Sequence, residues 1–191
     1  LLISLLHNAA YNRNRQMPNL RLFETGSAAW RRQGAIEETK QIAALLVGET
    51  GLPTWYARPR RFDFYDIKGT VLALLHTLGL KEITLGTAPG SFWGEESAGL
   101  YLEKTLLGSF GRLDEELVQS FKIKTPDVFG FLLDFDLLYK HRQAKRRFEP
   151  IPKFPLVPFD IALLLDVDTP VGDVVAAIRK AGGEHLVSVH L

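Results

Sequence analysis

The chain has 191 residues, 46% of them hydrophobic and 24% charged, with no cysteine and a formal net charge of +1, a balance that buries a core and excludes disordered, collagen-like and disulfide-stapled chains. Without thiols there is no cysteine-ligated metal and no thiol nucleophile, and no apolar run reaches the ~18 residues of a membrane span. The near-neutral total hides a segregation: residues 1 to 61 carry nine basic and four acidic side chains, 62 to 139 six and twelve, 140 to 153 six and one, and 154 to 191 two and five.

In chain order, Leu1 to Asn14 places apolar residues at 2, 3, 5, 6, 9 and 10, the spacing of an amphipathic helix, ended by an Asn-rich turn before Pro18. Leu20 to Trp30 and Thr39 to Val47 read as strands, the second apolar throughout its end and so central. Asp66 reads as the N-cap of a helix from Ile67 to Leu80 that closes at Gly79. Ala98 to Leu102 and Leu106 to Phe110 have the spacing of a hairpin turning at Glu103-Lys104. Asp114 caps a short acidic helix through Phe121, and Val128 to Phe135 is a further strand. Prolines at 150, 152, 155 and 158 bar continuous helix and mark a boundary near residue 148. Beyond it, a strand (160 to 165), a helix (171 to 181) and a strand (186 to 191) are expected. Antiparallel strands with interspersed helices describe an α+β class. With no initiating methionine, and with a last residue inside an apolar alternating segment, the chain is expected to be part of something longer.

Motifs that carry chemistry are sparse. The glycine-rich stretches Ala88 to Gly94 and Gly108 to Gly111 lack the lysine ending of a phosphate loop and read as turns. The histidines at 7, 76, 141, 185 and 190 have no helical metal-ligand spacing, and Ser91 and Ser97 have no evident His-Asp partners. Asp134 and Asp136 alternate with apolar residues, either as an acid/base pair or as the wet face of a half-buried strand. Lys140 to Arg147 is the densest positive charge, either a phosphate-backbone contact or a solvated linker, and Arg58, Arg60 and Arg61 add to the basic inventory.

The order of segments is more specific than any one of them. Arg21-Leu-Phe-Glu-Thr-Gly26, then Phe64-Tyr-Asp-Ile-Lys-Gly69, then Glu96-Ser-Ala98 ahead of Leu107 to Arg112, then Lys153-Phe-Pro155 with Val157 and Asp160, resembles the C-terminal part of the bacterial phenylalanyl-tRNA synthetase beta chain. The resemblance implies a class II aminoacyl-tRNA synthetase-like antiparallel sheet domain over 1–148, and a truncated ferredoxin-like anticodon-binding domain, its first half, over 149–191. It implies a cytoplasmic, non-catalytic part of phenylalanine-tRNA ligase. In that family the alpha chain makes the adenylate, and the beta chain joins it in an (αβ)2 heterotetramer that acts on tRNA(Phe). ATP and magnesium then belong to the whole enzyme, with no cofactor or metal in this fragment. The ATP-holding Phe-Arg-x-Glu and Gly-x-Gly-x-x-Arg elements of active class II domains are missing.

The first helix matches the place of the family's interface helix, so Leu2, Leu5, Leu6, Ala9 and Ala10 are the expected contact with a partner chain. If that stripe is not covered by a partner, it is covered by self-association or by the chain's own sheet. Lys140, Arg142, Lys145, Arg146 and Arg147 are the expected RNA contacts, made to phosphates. Three departures stand out: Pro158-Phe159 in place of Arg-Arg, Glu96 in place of an Arg, and Asp114-Glu115 in place of His-Pro. Fold and assembly role carry over, but no base-reading or catalytic residue does. The alternative class is a free-standing binding or assembly module derived from this domain, and an unrelated enzyme built on Asp134 and Asp136 is the third.

Overall fold

The structure is a computed structural model that describes residues 1–32, 34–51, 54–56, 58–80, 82–125, 127–143 and 155–190. It divides into two compact units, Leu1–Arg147 and Phe148–Leu191.

The first unit is a six-stranded, wholly antiparallel sheet in the order β1-β2-β6-β5-β4-β3. Its strands are β1 (Leu20–Arg32), β2 (Ala35–Val47), β3 (Ile83–Gly86), β4 (Trp93–Leu102), β5 (Thr105–Leu113) and β6 (Val128–Asp134). The continuous apolar run of β2 is explained by cover on both faces. Ala43, Leu45 and Val47 pack against α1 (Leu2–Arg13), whereas Ala44 and Leu46 point to the opposite side, with α2 (Phe64–Thr77). On the first side Leu2, Leu5, Leu6 and Ala9 are at most 3% exposed, and Leu2 lies over Gly130 of β6, where a larger residue would meet it. On the second side Ile67, Val71 and Leu75 of α2 meet Phe110, Phe129, Phe131 and Leu133, joined by Leu138 of α4 (Phe135–His141). The short helix α3 (Glu115–Ser120) follows β5, capped by Asp114, whose carboxylate accepts from the Leu117 amide at 2.9 Å.

Several expectations are corrected. The cap of α2 is Asp63, not Asp66. Asp63 takes the amides of Tyr65 and Asp66, while the Asp66 carboxylate takes the amide of Asp63, a reciprocal box that starts the helix one turn earlier. Gly108 and Gly111 are not turn residues; they lie inside β5, at φ of +153° and +146°. A side chain there would run into the Leu132 carbonyl of β6 and the Glu96 carbonyl of β4 respectively, so the glycines permit close strand approach beside a bulge. β6 ends at Asp134, which caps α4 by accepting from the Leu137 amide at 2.9 Å. Asp134 and Asp136 therefore do not form a paired strand face.

β2 pairs with β6 only from Gln41 to Val47, so residues 27 to 32 and 35 to 40 continue past the sheet as a two-stranded ribbon.

The second unit contains α5 (Val171–Gly182) and a 3-10 turn (Gly183–His185). The expected strands at 160–165 and 186–191 are not formed among the described residues, because no neighbouring strand supplies ladder partners. None of residues 155–190 is buried.

Candidate nucleic-acid interface

Two of the five expected RNA contacts, Lys140 and Arg142, fall on described residues at the end of α4. Lys145, Arg146 and Arg147 lie outside the described residues. Lys140 is exposed, and the Arg142 guanidinium lies 3.4 Å from the centre of the Tyr139 ring, with Nη1 donating to the Tyr139 carbonyl. Basic residues in the last turn also complement the negative end of the helix. Sequence reasoning extended β6 through Phe135 and so missed α4. The signal was present in Asp134 as a cap followed by Phe135, Leu138 and Tyr139 at helical spacing.

Of the other arginines singled out in the sequence, Arg60 and Arg61 are engaged in holding the fold, and Arg58 is exposed. Arg60 grips Asp66 with two bonds, Nη1 to Oδ2 at 2.6 Å and Nη2 to Oδ1 at 2.8 Å, and reaches Asp63 at 3.2 Å. The Arg60 hydrogen bonds hold the Asp66 carboxyl below the usual carboxylate range, against the opposing pull of its partial burial. Arg61 and Arg112 share Asp127 at 3.1 and 3.4 Å, and Arg112 also donates to Glu96 from Nε at 3.1 Å and Nη2 at 2.8 Å. Two of the departures from the family pattern thus have structural uses: Glu96 pairs with Arg112, and Asp114 caps α3.

Between β1, β2 and α2 the sheet carries a cleft of about 620 Å³, walled chiefly by Phe23, Ile42, Leu46, Phe62 and Phe131. Among the described residues its charged lining is Arg21 and Asp66. Asp66 is held by Arg60, while the Arg21 guanidinium lies 5.1 Å from the Phe62 ring centre and donates to the Thr50 carbonyl. Strand alternation decides what β1 can offer here. In Arg-x-Glu both side chains would enter the same face, but Arg21 and Glu24 are three apart, so Arg21 lines the cleft and Glu24 shares the α1 face with Leu20 and Leu22. The cleft can hold apolar matter, and its donor set does not fit a triphosphate.

The stripe of α1 is satisfied inside the chain. Leu2, Leu5, Leu6 and Ala9 are buried on the sheet and Ala10 is half-buried. The outward residues of the helix include Ile3 and Tyr11. Among the described residues no group of three or more His, Asp or Glu is placed to hold a metal ion, and no helix is long and apolar enough to cross a membrane.

Residues 1–135 match the family model described as the phenylalanyl tRNA synthetase beta chain CLM domain. A phenylalanine–tRNA ligase beta subunit from Chlamydia abortus is 34% identical over 183 residues, which cover 94% of this chain and 22% of that protein. Its counterpart from Lactiplantibacillus plantarum is 30% identical over 197 residues, covering 100% of this chain and 24% of that protein. The chain thus spans about a quarter of the length of these relatives. Among solved structures, a pyrrolysyl tRNA synthetase from Desulfitobacterium hafniense superposes with a TM-score of 0.52 at 17% identity, over 73% of this chain and 48% of that one. That likeness concerns the fold alone.

Proposed function

Because the chain belongs to the phenylalanyl-tRNA synthetase beta chain CLM domain family, we propose that it is a non-catalytic beta-chain part of phenylalanine-tRNA ligase, supporting assembly with the alpha chain and binding of tRNA(Phe). The observation that carries the non-catalytic half is the cleft: a class II-like sheet whose one lining arginine among the described residues is turned to Phe62 and Thr50 and whose one lining carboxylate among them is locked by Arg60. Holding and activating ATP calls for cations aimed at phosphates, and here Arg21 is turned to Phe62 and Thr50 while Arg60 neutralises the chain's own Asp66. ATP, magnesium and the attachment of phenylalanine then belong to the whole enzyme. The tRNA-supporting half rests on Lys140 and Arg142 together with the basic residues that follow them in sequence. In this reading 1–148 is the synthetase-like core, 149–191 is the first half of a ferredoxin-like anticodon-binding domain, and the protein works in the cytoplasm.

The test has two arms on the isolated chain. Phenylalanine-dependent exchange of pyrophosphate into ATP stays at the blank, and the chain co-sediments with the alpha chain of the same enzyme. tRNA binding falls steeply with salt and is lost when Lys140, Arg142, Lys145, Arg146 and Arg147 all become Ala. Exchange above the blank would overturn the non-catalytic reading. Equal tRNA binding by the five-alanine variant would remove the basic segment from it.

A further inference from the structure

Helix α4 presents a row that packing leaves unexplained. Spacings of four and three residues put Phe135, Tyr139 and Arg142 in line, while Leu138 anchors the helix in the core. The Phe135 and Tyr139 rings lie 6.2 Å apart and within 14° of parallel, and Arg142 stacks on Tyr139. The row faces water, with Phe135 36% and Tyr139 57% exposed. Phe135 also walls a recess of about 280 Å³ at the root of the β1–β2 ribbon, together with Thr25, Ser27, Lys40 and Gln41. Flat rings thus adjoin residue types that carry hydroxyls, an amide and an ammonium. Of the nearby acids, Asp134 is engaged as the cap of α4, which leaves exposed Asp136, and Glu38 two residues from Lys40 on the same face of β2, against Lys40, Lys140 and Arg142.

We propose that this row and recess form a stacking site for unpaired RNA nucleotides, a base lying on Tyr139 or Phe135 and its phosphates on Lys40, Lys140 and Arg142. The inference deepens the tRNA reading above and rests on it, but it changes what is recognised: phosphate contacts alone accept any RNA, whereas an open ring accepts only a base that is not already stacked in a helix. The charge balance favours a polyanion, and the rings favour one that carries planar groups. The existing contact supplies a route, because a base replaces the Arg142 guanidinium on the tyrosine ring and the displaced cation becomes available to the adjacent phosphate. A base–ring stack contributes a factor of about ten or more in affinity, against a few-fold for an exposed guanidinium on a ring.

The experiment measures binding of the 191-residue chain to a short labelled single-stranded RNA and to the blunt RNA duplex of the same sequence, at one fixed salt concentration. Tyr139→Ala and Phe135→Ala each weaken the single strand about tenfold and leave the duplex unchanged, whereas Tyr139→Phe, which keeps the ring, binds as the parent does. Both side chains are exposed, and thermal melts of the variants verify that they fold. If the alanine variants bind the single strand as the parent does while Lys140→Ala with Arg142→Ala does not, stacking is overturned and the phosphate reading survives. If the parent chain binds neither RNA, the tRNA reading itself falls and the site with it. If the alanine variants spare RNA but break co-sedimentation with the alpha chain, the row is a protein contact and the proposal is overturned.

Discussion

Asp63 and Asp66 show how two like charges share one helix start. Each accepts the other's backbone amide, and Arg60 neutralises both, so the pair gains from the positive end of α2 without mutual repulsion deciding the outcome. Replacing Asp63 by Ala removes one half of the box and is expected to cost about 1 kcal/mol, read as a lower urea midpoint. The pH dependence follows from the Arg60 hydrogen bonds. Because the folded Asp66 carboxyl titrates below its unfolded value, its contribution is fully present above the ordinary carboxylate range and is lost as pH falls through the folded value. Asp66→Asn should therefore flatten the acid limb of a stability–pH curve; an unchanged limb would show that the ion pair does not contribute. The Asp-rich start of this helix was visible in the sequence, but the choice between Asp63 and Asp66 was not, since both are good caps and only the folded backbone shows which carboxylate meets the free amides of the first turn.

At the scale of elements, α1 was legible because its apolar residues recur at helical spacing, and β2 because nothing polar interrupts its end. What the spacing of α1 does not state is the occupant of its apolar stripe. The answer lies in β2 and β6, whose Ala43, Leu45 and Gly130 leave room for leucines on that side of the sheet. Leu6→Ala, at a fully buried position, is accordingly expected to cost about 3 kcal/mol in the isolated chain, measured by equilibrium unfolding. A loss below about 1 kcal/mol would mean that the helix is not docked on the sheet in solution. Gly108 and Gly111 were misread for the opposite reason, since glycine-rich stretches between apolar residues look like turns unless the neighbouring strand is known. α4 was hidden because Asp134 serves as the last residue of a strand and the first cap of a helix, and alternation along β6 ran on through it.

For the molecule as a whole, the two units differ in how they hold themselves together. The first has a core on each face of its sheet, while no described residue of the second is buried, and Leu164 and Val167 are fully exposed. Amide exchange should therefore be slowest in β2 and β6 and fast across 155–190, and α5 should exchange far more readily than α2. Equal protection of α5 and α2 would contradict the described packing. Segment order and the boundary prolines could be read along the chain, but strand partnership in the second unit could not, because a ladder is a property of two segments and periodicity describes only one.

The order of the sheet also dictates a sequence of events. β1 and β2 adjoin in the chain, and β3 to β6 pair as neighbours in succession, so each group zips locally. The seam between them is the β2–β6 ladder, which brings Val47 to Val128 and closes the long intervening chain at once. Loop-closure entropy falls on that single step, and topology of this kind sets the speed of folding. During synthesis the β1–β2 pair and α1 wait, with the Gln41–Val47 edge of β2 lacking its second strand, until β6 leaves the ribosome. The last strand of the sheet to be made is the one that joins its halves, and nascent chains stalled before it would be the sticky ones.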